Sequence, residues 1–189
     1  MARKAGIGLD DVRAAAVDIA DRDGHDGLTV AAVARELGIR SPSLYAHVDG
    51  VSGLRRLVAV EGAHRIAAAL SDSALGISGE QALRSFAHAY RAFAHLHPGL
   101  YDAIQADAPS PDEDPALAAA LAEPVHLVAA ALSDLDLPPE RHIHLIRGIR
   151  CALHGFVDLE RRGGFGLPED IDTSFVALTD LLVGGLAHA

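Results

Sequence analysis

Arg40, Ser41, Ser43, Tyr45 and His47 crowd into one short stretch and offer a guanidinium, two hydroxyls, a phenol and an imidazole. Such groups hydrogen-bond phosphate oxygens and base edges; Tyr45 and His47 suit phosphates, while Arg40 and Ser43 suit base edges. They act together only if one helix face presents them all. Leu44 and Val48, four apart, mark the opposite, inward face of such a helix. Ser41 is expected to cap it, with Pro42 at its first position, where a missing N–H costs nothing. Upstream, Thr29 is a fit N-cap for a helix whose Val30, Val33, Ala34 and Leu37 form one apolar stripe. Gly38 then stops that helix and Ile39 closes the turn. Two short helices joined by a Gly-bearing turn predict a helix-turn-helix, whose second helix is sized for a DNA major groove.

A second constellation follows. Phe86, Tyr90, Phe93 and His97 are spaced 4-3-4 and share one helix face. Tyr101, Ile104 and Gln105 come just after Pro98. A stripe of this kind is either core packing or the wall of a pocket with a few polar tips, here Tyr90, His97, Tyr101 and His154. Other chemistries find little support. Eleven histidines invite a metal, but His95/His97 and His142/His144 are two apart and point to opposite helix sides. His88 and His95 stand about 10 Å apart along a helix, too far to share one ion. Cys151 is expected to be a small buried hydrophobe. The Gly163–Gly166 run lies between helices rather than after a strand, so it is no phosphate cradle, and no nucleophile elbow or dinucleotide pattern appears. Neither a catalytic residue, a metal site nor a cofactor is expected.

From Leu9 to about Leu57 the chain resembles the DNA-binding segment of the tetracycline-repressor (TetR) family, through L-T-V-A-A-V-A-R-E-L-G-I and S-P-S-L-Y-A-H-V. H-P-G-L-Y (His97 to Tyr101) and L-H-G-F-V-D-L-E-R-R-G-G-F-G-L-P (Leu153 to Pro168) resemble the WHG-type C-terminal domain of one branch. Two positions depart from the pattern. Val51 stands where many relatives carry a phosphate-gripping lysine, and Leu153 replaces the tryptophan that names the motif. The resemblance implies a repressor released from a palindromic operator by a small organic effector bound between the fifth, seventh and eighth helices. The implied route from effector to DNA runs through the fourth helix. A TetR-like interaction protein acting through a partner, without specific DNA binding, is the competing reading.

The elements that must position these residues are all helical. Helices are expected at about Leu9–Arg22, two short ones in the motif, then Val51–Leu70, Glu80–Leu96, Ala116–Leu135, Pro138–Arg162 and Asp172–Leu186, about nine in all. Asp23 to Gly27 reads as a loop, and the acidic, proline-punctuated stretch from Asp107 to Pro115 as an exposed, mobile linker. The organisation is a three-helix head over 1–50 and an effector-binding, dimerising body over 51–189. Ile149, Leu153, Phe156, Leu178, Leu182 and Leu186 on the last two helices are the expected homodimer surface, since they make more apolar face than a small body buries alone. The net charge of −10 argues against DNA only superficially. Residues 1–70 hold nine basic and nine acidic side chains, so the excess acidity lies wholly beyond them. Arg3, Lys4, Arg40, Arg55 and Arg56 flank the motif, and exposed charges more than ~10 Å away are screened. One cysteine, no apolar run of ~18 residues and a polar N-terminus fit a cytoplasmic chain with no membrane partner.

Overall fold

A computed structural model describes residues 7–106 and 112–186. Among them are nine α-helices, a 3-10 turn at Pro139–Arg141 and no strand. The helices are α1 (Leu9–Gly27), α2 (Val30–Glu36), α3 (Ser41–Leu44), α4 (Gly50–Ser73), α5 (Gly79–Leu96), α6 (Pro98–Gln105), α7 (Pro115–Ser133), α8 (His142–Arg161) and α9 (Ile171–Leu186). The chain divides into two compact units: Met1–Arg65 with His97–Leu121, and Ile66–Leu96 with Ala122–Ala189. These units cut the chain differently from a boundary at residue 50. The first keeps most of α4, all of α6 and the start of α7 together with the helix-turn-helix.

In the first unit, Val12, Ala16 and Ile19 of α1 are buried with Val33, Leu44, Leu54, Val58, Leu100 and Tyr101. The spacing of the apolar residues on α1 dictates this, since every third or fourth position returns to one face. The expected loop at Asp23–Gly27 is instead a further helical turn, broken only at Gly24, whose φ of 72° interrupts the helix. The main helix pairing of this unit is α1 with α6. Asp114 is not part of a loose linker. Its side chain accepts from the Leu117 amide (3.1 Å) and from Arg56 Nη2 (2.7 Å), joining the start of α7 to α4. The Arg56 guanidinium, then the Leu117 amide, hold this carboxyl at about 2, below its ordinary range. Residues 107–111 of the expected linker lie outside the described residues, as do Arg3 and Lys4.

In the second unit, Ala87, Leu153 and Phe175 form a buried cluster against which Tyr90, Ile149, Phe156 and Leu182 pack. Phe156 and Phe175 meet edge to face at 5.2 Å. Arg91 stands 4.8 Å over the Phe175 ring, and its Nε donates to Glu160 at 2.8 Å while Nη2 reaches Asp172 at 2.7 Å. The bond from Arg91, reinforced by one with His95, lowers the Glu160 carboxyl to about 2 against the cost of burial.

Two expectations about surface and length are corrected here. Cys151 is exposed rather than buried, because α8 turns its Leu153 and Val157 side inward. Among the described residues one helix, Pro115–Ser133, is long and apolar enough by length and composition to cross a membrane. Glu123, Pro124 and His126 sit at its middle, where a charge and a helix-breaking ring are costly in lipid.

Candidate nucleic-acid interface

The site is built by a turn whose bonds are all local. Thr29 Oγ1 accepts from the Ala32 amide at 3.1 Å and starts α2. At the other end, the Ile39 amide donates to the Ala34 carbonyl (2.9 Å) and the Gly38 amide to Arg35 (3.1 Å). That paired closure is a Schellman motif, and it needs a left-handed residue, met by Gly38 at φ 66°. Arg40 leaves the turn extended, at φ −84° and ψ 141°, and caps α3 through its backbone carbonyl, which accepts from Ser43 at 2.9 Å. Ser41 is therefore the first helical residue and Pro42 the second, one place later than expected from capping preferences. Both positions lack an intrahelical acceptor, so proline fits either. The helix is a single turn, continued by bonds from the His47 and Val48 amides to the Leu44 carbonyl (2.9 and 3.0 Å).

Leu44 is 0% exposed and Val48 8%, so the inward face is these two side chains. Arg40, Pro42, Ser43, Tyr45 and His47 are exposed and Ser41 is half-buried. Tyr45 shows 62% of its surface although it is a large aromatic. Thr29 is exposed beside them, its oxygen already engaged as a cap. Val48 is pressed onto α4, where a Cβ at Gly53 would come within 3.2 Å of the Val48 Cβ. The outward set is thus carried on a turn anchored by Leu44 and Val48. It offers a guanidinium, hydroxyls, a phenol and an imidazole to one surface, the chemistry that grips phosphate and reads base edges.

The expected effector residues are divided between the two units. Phe86, Tyr90, Phe93 and His154 belong to the second unit, while His97, Tyr101 and Ile104 belong to the first. Phe86 and Phe93 are buried, and Tyr90 and His154 half-buried. In the first unit Tyr101 is 1% exposed, Ile104 lies against Gly62, and His97 Nδ1 is 3.1 Å from the Asp21 carboxylate. That last contact was not anticipated. Its sequence signal was a Pro-Gly helix start at 98–99 with no serine, threonine or aspartate before it, which requires a cap from elsewhere in the chain. A cavity of about 540 Å3 in the first unit is lined by Arg55, Ala59, Ala103, Leu117 and Leu121 among others, and by none of the expected pocket residues.

The expected dimer residues divide by burial. Leu153 and Leu186 are buried within the second unit, and Ile149, Phe156 and Leu182 pack against its core. Leu178 is half-buried. Leu153 and Leu186 thus serve the chain's own core, while Ile149, Phe156, Leu178 and Leu182 keep part of their surface open. The exposed apolar residues of α8 and α9 are Ile143, Leu159, Val176 and Leu181.

Comparison with known proteins agrees with this geometry. Residues 83–182 match the family described as tetracyclin repressor-like, C-terminal domain. The chain is 37% identical over 183 residues to the HTH-type transcriptional regulator Rv0681 of Mycobacterium tuberculosis, covering 97% of this chain and 82% of that one. It is 35% identical over 158 residues to the HTH-type transcriptional regulator YobS of Bacillus subtilis, covering 83% and 81%. In fold it resembles a TetR from Acinetobacter baumannii in complex with minocycline, at 19% identity, a TM-score of 0.68 and coverage of 97% and 98%. The helix-turn-helix and these relatives make the chain a DNA-binding transcriptional regulator. The chain belongs to the tetracycline-repressor family.

Proposed function

We propose that this regulator is a cytoplasmic homodimeric repressor that holds a palindromic operator and releases it on binding a small organic molecule. The observation that carries the DNA half of this reading is the α3 turn. Its anchors, Leu44 and Val48, are buried while Arg40, Ser43, Tyr45 and His47 are exposed. A one-turn helix reads only a few base pairs, so two copies on half-sites one helical turn apart supply the remaining specificity. The second copy is expected to cover the exposed Val176 and Leu181 of α9 with Leu159 of α8, an apolar set on elements whose other faces are already buried. The effector site is assigned to the second unit, at Phe86, Tyr90 and Phe93 of α5 with His154 of α8, where half-buried polar tips stand among apolar side chains. His97, Tyr101 and Ile104 are set aside from it, being engaged in the first unit. The TetR bound to minocycline is a fold neighbour that takes a mid-sized organic ligand.

Nuclease footprinting on the DNA upstream of the protein's own gene tests this reading. Protection with two-fold symmetry, its halves about one helical turn apart, is expected. Asymmetric protection by a monomer, or none, overturns it.

A further inference from the structure

The amide groups that open α6 are satisfied from outside the helix. His97, its N-cap, makes no side-chain cap, and Pro98 has no N–H. The Gly99 and Leu100 amides, which a helix start leaves without intrahelical acceptors, both donate to Asp21 Oδ1 of α1, at 2.8 and 3.1 Å. The other carboxylate oxygen, Oδ2, meets His97 Nδ1 at 3.1 Å. A negative side chain at this end of a helix also interacts favourably with its dipole. One carboxylate therefore joins three groups at the start of α6 to α1.

The two helices also touch backbone to backbone. A Cβ at Gly99 would fall inside the Ala20 carbonyl and 2.6 Å from the Asp21 amide nitrogen. On the other side of α6, a Cβ at Gly62 of α4 would stand 2.9 Å from the Leu100 carbonyl oxygen. Flexible side chains can absorb a shift by changing rotamer, whereas close-packed backbones cannot. The pose of α1 thus follows the pose of α6. Within the same unit α1 packs on α2 and α2 on α3, so the pose of α1 also bears on how α3 is presented.

We propose that Asp21 is a positioning residue for DNA recognition: by holding the start of α6 against α1, it fixes the pose of the helix-turn-helix. The proposal rests on the DNA-binding reading and assigns His97 to this joint rather than to an effector pocket. Without the carboxylate the head samples several poses, of which a fraction is competent, and the apparent dissociation constant rises by the inverse of that fraction. A competent fraction near one in ten gives about a tenfold loss.

The test compares wild type with Asp21→Ala and Asp21→Asn. Asn keeps a carbonyl oxygen for the two amides, whereas Ala keeps nothing. Asp21→Ser, too short to reach both amides, serves as the deletion should Ala fail to fold. Binding to a fluorescent duplex of the DNA upstream of the protein's own gene is read by anisotropy, and hydrogen exchange is read at Gly99, Leu100, His47 and Val48. The expected result is about tenfold weaker binding for Ala or Ser, near-normal binding for Asn, and faster exchange at His47 and Val48 in the deletion alone. A merely structural loss would lower the folded fraction without the Asn rescue of affinity. Unchanged affinity in a folded deletion variant, or faster exchange confined to Gly99 and Leu100, overturns the proposal. If wild type ignores the duplex, the DNA reading fails instead, and exchange at His47 and Val48 decides the role of Asp21.

Discussion

Leu44→Ala probes how the DNA-reading turn is held. A four-residue helix has no stability of its own, since nucleation alone is unfavourable. Its seating depends on Leu44, at 0% exposure, with Val48 following at 8%. Truncation to alanine removes three carbons, about 2.4 kcal/mol of transfer free energy at roughly 0.8 per group. A cavity that fails to collapse brings such changes to about 2–5 kcal/mol. Because α3 lies at the edge of the first unit and has a single turn to lose, the cost is expected as local opening rather than global unfolding. Opening by about 2.4 kcal/mol more corresponds to roughly sixtyfold faster exchange of the amides that bond the Leu44 carbonyl, those of His47 and Val48. Backbone exchange followed by nuclear magnetic resonance is the assay, with Tyr45→Phe as the outward-facing control that leaves exchange unchanged. If Leu44→Ala leaves both amides as protected as in wild type, Leu44 is not the anchor and the reasoning fails.

Other outcomes follow from the same structure. Thr29→Ala should cost about 1 kcal/mol by loss of the α2 cap, read as a lower melting temperature with the α3 amides affected first. Glu160, held near 2 by Arg91, binds fewer protons in the folded state than in the unfolded one. Its stabilising contribution is complete above its ordinary value of 4.5 and is lost as pH falls toward about 2; Glu160→Gln should remove that part of the acid sensitivity in denaturant titrations. Val176→Glu with Leu181→Glu should give folded monomers by sedimentation, whereas Leu186→Glu, at a buried position, should lower stability itself.

How much of this was legible in the sequence depends on the range of the interaction. The helix-turn-helix was readable because its bonds are local: a threonine three residues before the amide it caps, a glycine with positive φ, and two apolar residues four apart. The one-residue shift at Arg40 arose because α3 starts with no side-chain cap, so capping preference did not mark its first residue. The Asp21 joint was not readable, since 76 residues separate it from His97 and its carboxylate looked like one of several acidic surface groups. The last two helices were read correctly as amphipathic. Periodicity identifies an apolar face without saying whether the chain itself or a second copy covers it: Leu153, expected at the dimer surface, is buried, while Phe156 and Leu182 pack on the core and stay half-buried. Cys151 was misplaced for the same reason, lying two positions from Leu153 and hence on another side of α8.

The central claim, that α3 reads DNA, is tested most directly by one titration series. Wild type, Arg40→Ala and His47→Ala are each titrated against the upstream duplex and a scrambled duplex, by anisotropy, between about 50 and 200 mM salt. The account predicts that wild type prefers its own duplex by roughly 10³-fold or more. Arg40→Ala should shrink that preference, and His47→Ala should weaken binding to both duplexes alike. Equal binding of the two duplexes by wild type, or variants indistinguishable from it, would contradict the account.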